Sequence, residues 1–581
     1  MVVPTRLLAL SLFTALAVAT PLSSSVPKFS RELLVHESRD VLPAGFSLAG
    51  PAAPDTPLKL RIALAQKNPD AVVDALYSVS DPSSEKYGQH LSKDQAAQLA
   101  APDPDSVAAV NAWLAEHGLN ASSATPAGDW LELNVNVSKA NTLLAANFSR
   151  FTHGSSGLQA VRTLSYSIPA SLKGHVDLVH PTTAFPVPVD SNVSVGKKRA
   201  FHEPILPRAT SSNCSNGTTP ACLQELYHIP TAPATVKSNR FGVTGRFGNN
   251  AHYDFLEGFL KRYRPDMDPK TNFSVTLIDG GNNDQDVPSV SEGRTSQELD
   301  IQYTVGLATG VPVEYIMVGV EWQDGDLEGY LDEVNTLLSM DSPPQVLTTS
   351  YGMSEDSLSF ELTDKLCKAY AQLGARGVSI LYASGDSGVG CTTNSTAFSA
   401  TFPSNCPYVT SVGGTQAFAP EQAWEGSSGG FSNYYPAPSY QTAAIAAYLT
   451  KLGASSSANT TMGRFNATGR GFPDVSAKAD DFRVWENATA SLYGTSAASP
   501  TFGSVVALVN DRLAQEGKSP LGFLNPWLYS KGVDALTDIT SGKSDIECNG
   551  EHVGFEAVAG WDPVSGLGTP DFDKFLSVLG L

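Results

Sequence analysis

Apolar and polar positions follow two different rhythms along the chain. From Leu58 to about Pro186 the segments are short and mixed. LKLRIAL reads as a strand, PDAVVDALYSV as a helix and Ser106–His117 as a second helix ending at Gly118. DWLELNVNV alternates as a strand, and KANTLLAANFSRF has helical spacing. Strands and helices in this order predict a small α+β domain of the split βαβ, ferredoxin-like kind.

Beyond Cys222 the rhythm becomes regular alternation of strand and helix. Arg240–Thr244, FSVTLIDG, VEYIMVGV, QVLTTSYG and VSILYASGD read as strands; His252–Tyr263, Leu299–Leu307, Leu327–Leu338 and Leu362–Leu373 read as helices between them. The pattern predicts a doubly wound parallel sheet, whose ligands lie beyond the carboxyl ends of the strands. Two strands run into chemistry-bearing ends, at Ser350-Tyr351-Gly352 and at Ser384-Gly385-Asp386-Ser387-Gly388.

Composition narrows the class. The chain has 581 residues, with 38 Lys+Arg against 58 Asp+Glu and a net charge of −20. Such a surface repels phosphate, which argues against nucleic-acid binding. No interior apolar run approaches the ~20 residues of a membrane span. Arg6, the apolar run Leu7–Val18 and the small residues Ala17-Val18-Ala19 have the layout of a secretory signal peptide over residues 1–19. Asn-x-Ser/Thr sites are dense, at Asn120, Asn136, Asn147, Asn192, Asn213, Asn216, Asn272, Asn394, Asn459, Asn466 and Asn487, which agrees with export to the extracellular space. Cysteines in that compartment are oxidised; Cys214 and Cys222 are close enough in sequence to pair, and the other four stay unassigned. A Pro-, Ser- and Val-rich stretch over 187–212, with Lys197-Lys198-Arg199 and Arg208, divides a domain of residues 20–186 from one of 213–581. Exposed basic linkers are easily cut.

Three clusters carry candidate chemistry. Ser496 lies in GTSAASP, at the start of an apolar helix where backbone N–H groups face a developing negative charge. Taken alone, the motif is also an ordinary helix cap with a proline in the first turn. Asp386, between glycines at a strand end, suits a buried carboxyl kept neutral to donate a hydrogen bond, although Asp in such a turn is common. Near the carboxyl end Asp538-Ile539 and Gly560-Trp561-Asp562 offer two carboxylates and loop carbonyls, a donor set for calcium. A serine nucleophile normally uses a histidine, yet His202, His228, His252 and His552 sit in no catalytic motif. Chemistry at Ser496 therefore calls for a carboxylate base, which works best in acid.

Together these motifs resemble the sedolisins, the serine-carboxyl peptidases, and in particular their tripeptidyl-peptidase branch. GTSAASPTFG, SGDSGVG, LDIQY, PPQVLTTSYG, SVGGT, SSGGFS and FPDVSA occur in the family's order, and Asp81-Pro82-Ser83-Ser84, Tyr87-Gly88 and Trp113-Leu114 resemble its propeptide. The resemblance implies a subtilisin-like peptidase made as a zymogen. Its substrates would be peptides or unfolded proteins, cut to tripeptides from the N-terminus, and its propeptide an intramolecular inhibitor removed in acid; a monomer is expected. It implies Ser496 as nucleophile, Asp386 as oxyanion donor and Asp300 as the outer triad carboxylate. One calcium would be held by Asp538 and Asp562 with the Ile539, Val558 and Gly560 carbonyls.

One position departs from the family. The triad base there is a Glu four residues before the Asp, on the same helical face, and here that position is Ser296. Glu298 is two residues from Asp300, about 200° around a helix, and faces away from Ser496. Asp300 acting through a water is the other substitute. The rival reading is therefore an impaired or inactive relative that binds peptides.

Overall fold

The computed structural model describes residues 1, 32–43, 45–154, 157–185, 214–246, 249–286, 296–321, 327–391, 397–455, 461–548 and 550–581. Apart from Met1, the expected signal segment lies outside the described residues, and so does the linker 187–212.

The first domain is built on β1 (Pro57–Leu64), β2 (Ser122–Ser123), β3 (Trp130–Asn136) and β4 (Val176–His180), in spatial order β2-β3-β1-β4. β1 is antiparallel to both β3 and β4, so those two are parallel and β1 splits them. Helices α1 (Ala71–Ser80), α2 (Lys93–Ala100), α3 (Pro104–Glu116) and α4 (Val137–Leu144) complete the domain. Leu60, Ile62 and Leu64 of β1 meet Val110, Trp113 and Leu143 in its core. The expected split βαβ is present, with one boundary moved. The helical reading of KANTLLAANFSRF ends at Leu144, because Ala145 turns left-handed at φ 45° and Asn141 accepts the Phe148 N–H; Ser149–His153 is then a strand.

The second domain has a central eight-stranded sheet. Its strands are β5 (Phe241–Arg246), β6 (Phe273–Ile278), β7 (Val313–Val318), β8 (Val346–Thr349), β9 (Ser379–Ala383), β10 (Thr410–Gln416), β11 (Gln422–Ala423) and β12 (Val475–Lys478). The order is β6-β7-β5-β8-β9-β10; β12 joins β10 in parallel and only β11 runs antiparallel. All residues of β5, β7, β8 and β9 are buried. This is why they read as apolar runs rather than alternating ones. Helices α5 (Tyr253–Tyr263), α6 (Ser296–Leu307), α7 (Tyr330–Ser339), α8 (Phe360–Ala375) and the long α9 (Thr495–Gln515) cover the faces. α7 begins three residues later than its sequence pattern, after Gly329 at φ 84°.

The disulfides are Cys214–Cys222, as the sequence suggested, together with Cys367–Cys406 and Cys391–Cys548. The two domains pack through α1 against α8: Val72, Leu76 and Ala100 meet Ala371, Ala375 and Phe523. Ion pairs Arg61–Asp332 (2.6 Å), Lys365–Asp177 (2.5 Å) and Lys93–Asp341 (3.2 Å) border that contact.

Candidate active site

Ser496 is the second residue of α9, and α9 packs across α6 and the central strands. The helix contains Pro500, in its second turn rather than its first. Proline has no N–H to give the carbonyl four residues earlier, which is that of Ser496. The Ser350 hydroxyl, just beyond β8, donates to this carbonyl instead, at 3.4 Å. Ser350 also bonds the Asp300 carboxyl, on α6. Burial pushes Asp300 well above the usual carboxylate range, and it is 1% exposed. Ser350 thus stands between the Asp300 carboxyl and the Ser496 carbonyl.

Asp386 follows β9 and is half-buried. Its Oδ1 accepts both the Thr495 N–H (2.7 Å) and the Thr495 hydroxyl (2.9 Å), while the Thr495 Oγ1 accepts the Gly385 N–H (3.1 Å). The residue before Ser496 thus clamps the candidate oxyanion acid. Gly494, at φ 149°, makes room for it: a Cβ there would lie 2.7 Å from Asp386 Oδ2. Ser350 and Thr495 thus place Asp300 and Asp386 beside the backbone around Ser496, beyond the carboxyl ends of β8 and β9. Neither Ser350 nor Thr495 is marked out by a motif, although Pro500 signals an open carbonyl.

Glu298 lies elsewhere. α6 is already helical at Ser296, so Glu298 projects towards α5. Its Oε1 accepts the His252 backbone N–H and ring Nδ1–H, both at 2.8 Å, and its Oε2 accepts Gln302 Nε2 at 3.1 Å. The bond to Glu298 raises the His252 pKa; burial raises that of Glu298. The preceding residue, Gln297, donates to the Tyr351 hydroxyl, and Asn249 Nδ2 reaches the same oxygen at 3.3 Å. The backbone of Ser296 stands one helical turn before Asp300.

At the carboxyl end, Asp562 is fully buried. Its Oδ1 accepts the N–H groups of Val564 (3.0 Å) and Ser565 (2.9 Å), and its Oδ2 that of Val558 (3.0 Å). Burial pushes its pKa up to about 7. Asp538, exposed, accepts the Gly560 N–H on Oδ2 at 2.7 Å. The segment 558–560 thus bridges the two carboxylates, and Ile539 is buried beside Asp538. Among the described residues no group of three or more His, Cys, Asp or Glu forms a metal cluster, so an ion here would depend on carbonyl oxygens.

Comparison with known proteins follows the same division of the chain. A family profile described as the pro-kumamolisin activation domain matches residues 44–185, and one described as the subtilase family matches 276–521. A probable tripeptidyl-peptidase SED2 of Trichophyton verrucosum is 34% identical, covering 98% of this chain and 99% of its own. Tripeptidyl-peptidase sed4 of Aspergillus fumigatus is 36% identical, covering 93% of this chain and 95% of its own. Among solved structures, Pseudomonas sedolisin, a serine-carboxyl proteinase complexed with pseudo-iodotyrostatin, aligns at 22% identity and TM-score 0.49, over 63% of this chain and 98% of that one. Full-length identity to the two tripeptidyl-peptidases and the two matched domains decide the family. The chain belongs to the sedolisin family of serine-type peptidases and is made as a zymogen with its own activation domain.

Proposed function

We propose that the protein is a secreted, acid-acting peptidase that releases tripeptides from the free N-termini of peptides and unfolded proteins. The observation that carries this reading is the convergence of Asp386 and Asp300 on the residues around Ser496, beyond the carboxyl ends of β8 and β9, with Thr495 gripping Asp386. Ser496 Oγ attacks the scissile carbonyl carbon, and Asp386, protonated in acid, donates to the oxygen as it gains charge. The serine proton passes through a water to the Asp300 carboxylate, which stands in for the absent triad Glu.

The domain scheme belongs to the same reading: signal 1–19, propeptide 20–186, processing linker 187–212 and peptidase 213–581, acting as an extracellular monomer. Exposed asparagines at the Asn120, Asn136, Asn147, Asn216, Asn272 and Asn487 sites support passage through the secretory route. The all-oxygen donor set fits one structural calcium, held by Asp538 and Asp562 with the Ile539, Val558 and Gly560 carbonyls. Such an ion would fasten the terminal loops and take no part in the reaction.

A second reading is favoured by one specific observation, the capture of Glu298 by His252. With Ser at 296 and Glu298 facing α5, the chain is a weakened or inactive relative that binds peptides. Purified protein, acidified to allow processing and given a tripeptide-arylamide, separates the two. Release of the arylamine that is absent in Ser496→Ala is expected. Equal rates in the two proteins would overturn the peptidase reading of this site and leave the binding one.

A further inference from the structure

His90, between α1 and α2, sits at the seam of the two domains. Its ring lies between two glycines of the peptidase domain, both with positive φ. A Cβ at Gly377 would come within 2.7 Å of His90 Cδ2, and one at Gly522 within 2.6 Å of His90 Cε1. Nε2 lies 2.9 Å from the Pro520 carbonyl, which can only accept, so this nitrogen carries the ring proton. Nδ1 is sealed from solvent and has no hydrogen-bond partner. The next residue completes the seam, because the Leu91 N–H donates to the Ala375 carbonyl at 2.9 Å.

We propose that His90 is the acid-sensitive latch of the zymogen: with a neutral ring it fastens the activation domain to the peptidase domain, and uptake of a proton at Nδ1 releases it. This rests on the zymogen assignment and concerns its regulation. A second ring proton has no acceptor in the seam, and the cation it creates has no carboxylate bonded to it. Lys93 and Asp94 of the activation domain and Asp341 and Arg376 of the peptidase domain line the adjoining groove. They are otherwise engaged or bond no ring atom: Lys93 pairs with Asp341, and Arg376 binds the Leu338 and Met340 carbonyls. Lys518, two residues before Pro520, is exposed. Burial holds the docked ring below the ordinary histidine value. The sign follows: docking is fully favoured above about pH 6.5 and weakens as pH falls, by up to tenfold per unit.

The test uses the full-length chain carrying Ser496→Ala, which blocks self-processing, and hydrogen exchange of the Leu91 amide corrected for intrinsic rate. Protection is expected to fall between pH 6.5 and 4.5, by no more than tenfold per unit of pH. His90→Gln keeps a donor for Pro520, and His90→Phe keeps a ring between the glycines. At least one of them should stay protected at pH 7 and lose no more than a few-fold by pH 4.5. A fall of equal size in both variants overturns the latch while leaving acid release intact. A parent that loses no protection overturns the latch together with acid release, and loss of protection at pH 7 in both variants overturns the switch.

Discussion

At the scale of single residues, Pro500 organises the surroundings of Ser496 by what it lacks. Its missing N–H opens the Ser496 carbonyl, Ser350 fills the gap, and Asp300 is thereby tied to the Ser496 backbone through one hydroxyl. Each link needs a residue distant in sequence, so motif reading finds Ser496, Asp386 and Asp300 but not the groups that join them. The identity of Ser296 bears on activity most directly. Position 296 precedes Asp300 by one turn, on the face that a triad carboxylate must share. General acid–base catalysis contributes a factor of about 10²–10⁴. Ser296→Glu should therefore raise kcat by about 100-fold or more with little change in KM, measured on a tripeptide-arylamide at pH 4–5. An unchanged kcat would mean that the protein already has its base.

At the scale of elements, α6 is fixed from two sides. Asp300 faces β8 and α9, while Glu298 faces α5 and joins Gln302, which exchanges hydrogen bonds with the Trp485 backbone at 2.8 and 2.9 Å. This double anchoring explains why the helix does not rotate to bring Glu298 to Ser496: rotation would leave a buried carboxylate and a buried imidazole without partners. The 3.6-residue period predicts that geometry from sequence, but not that His252 would be the partner, since the contact spans a loop. The terminal loops form a second such unit. Chelation should lower the thermal unfolding midpoint, with recovery on adding calcium, and Asp562→Asn should remove the calcium dependence. A midpoint indifferent to chelator and calcium would exclude a structural ion at this loop.

For the whole molecule, the −20 charge and the interior pull in the same direction. Burial raises the carboxyls of Glu298, Asp300, Glu328, Glu355 and Glu421. A group raised in the fold gives stability that is complete below its ordinary value and lost as pH rises through the folded one. Glu328 is pushed up to about 7, so its part disappears between roughly pH 4.5 and 7. Calorimetry of the peptidase-domain transition should show a midpoint falling over that interval, and Glu328→Gln should flatten the fall. A midpoint that climbs from pH 4.5 to 7 would contradict this. Falling surface repulsion in acid adds to the trend.

Fold class, domain order and the residues with reactive groups are legible in the chain, because hydrophobic period and short motifs are local properties. So is the Ser that stands where a triad Glu is expected. Tertiary structure decided what surrounds those groups: Ser350 beneath Ser496, Thr495 around Asp386, His252 on Glu298 and His90 between two glycines. Each of these contacts joins segments far apart in the chain, and only packing brings them within hydrogen-bonding distance or sets how deeply a carboxyl is buried.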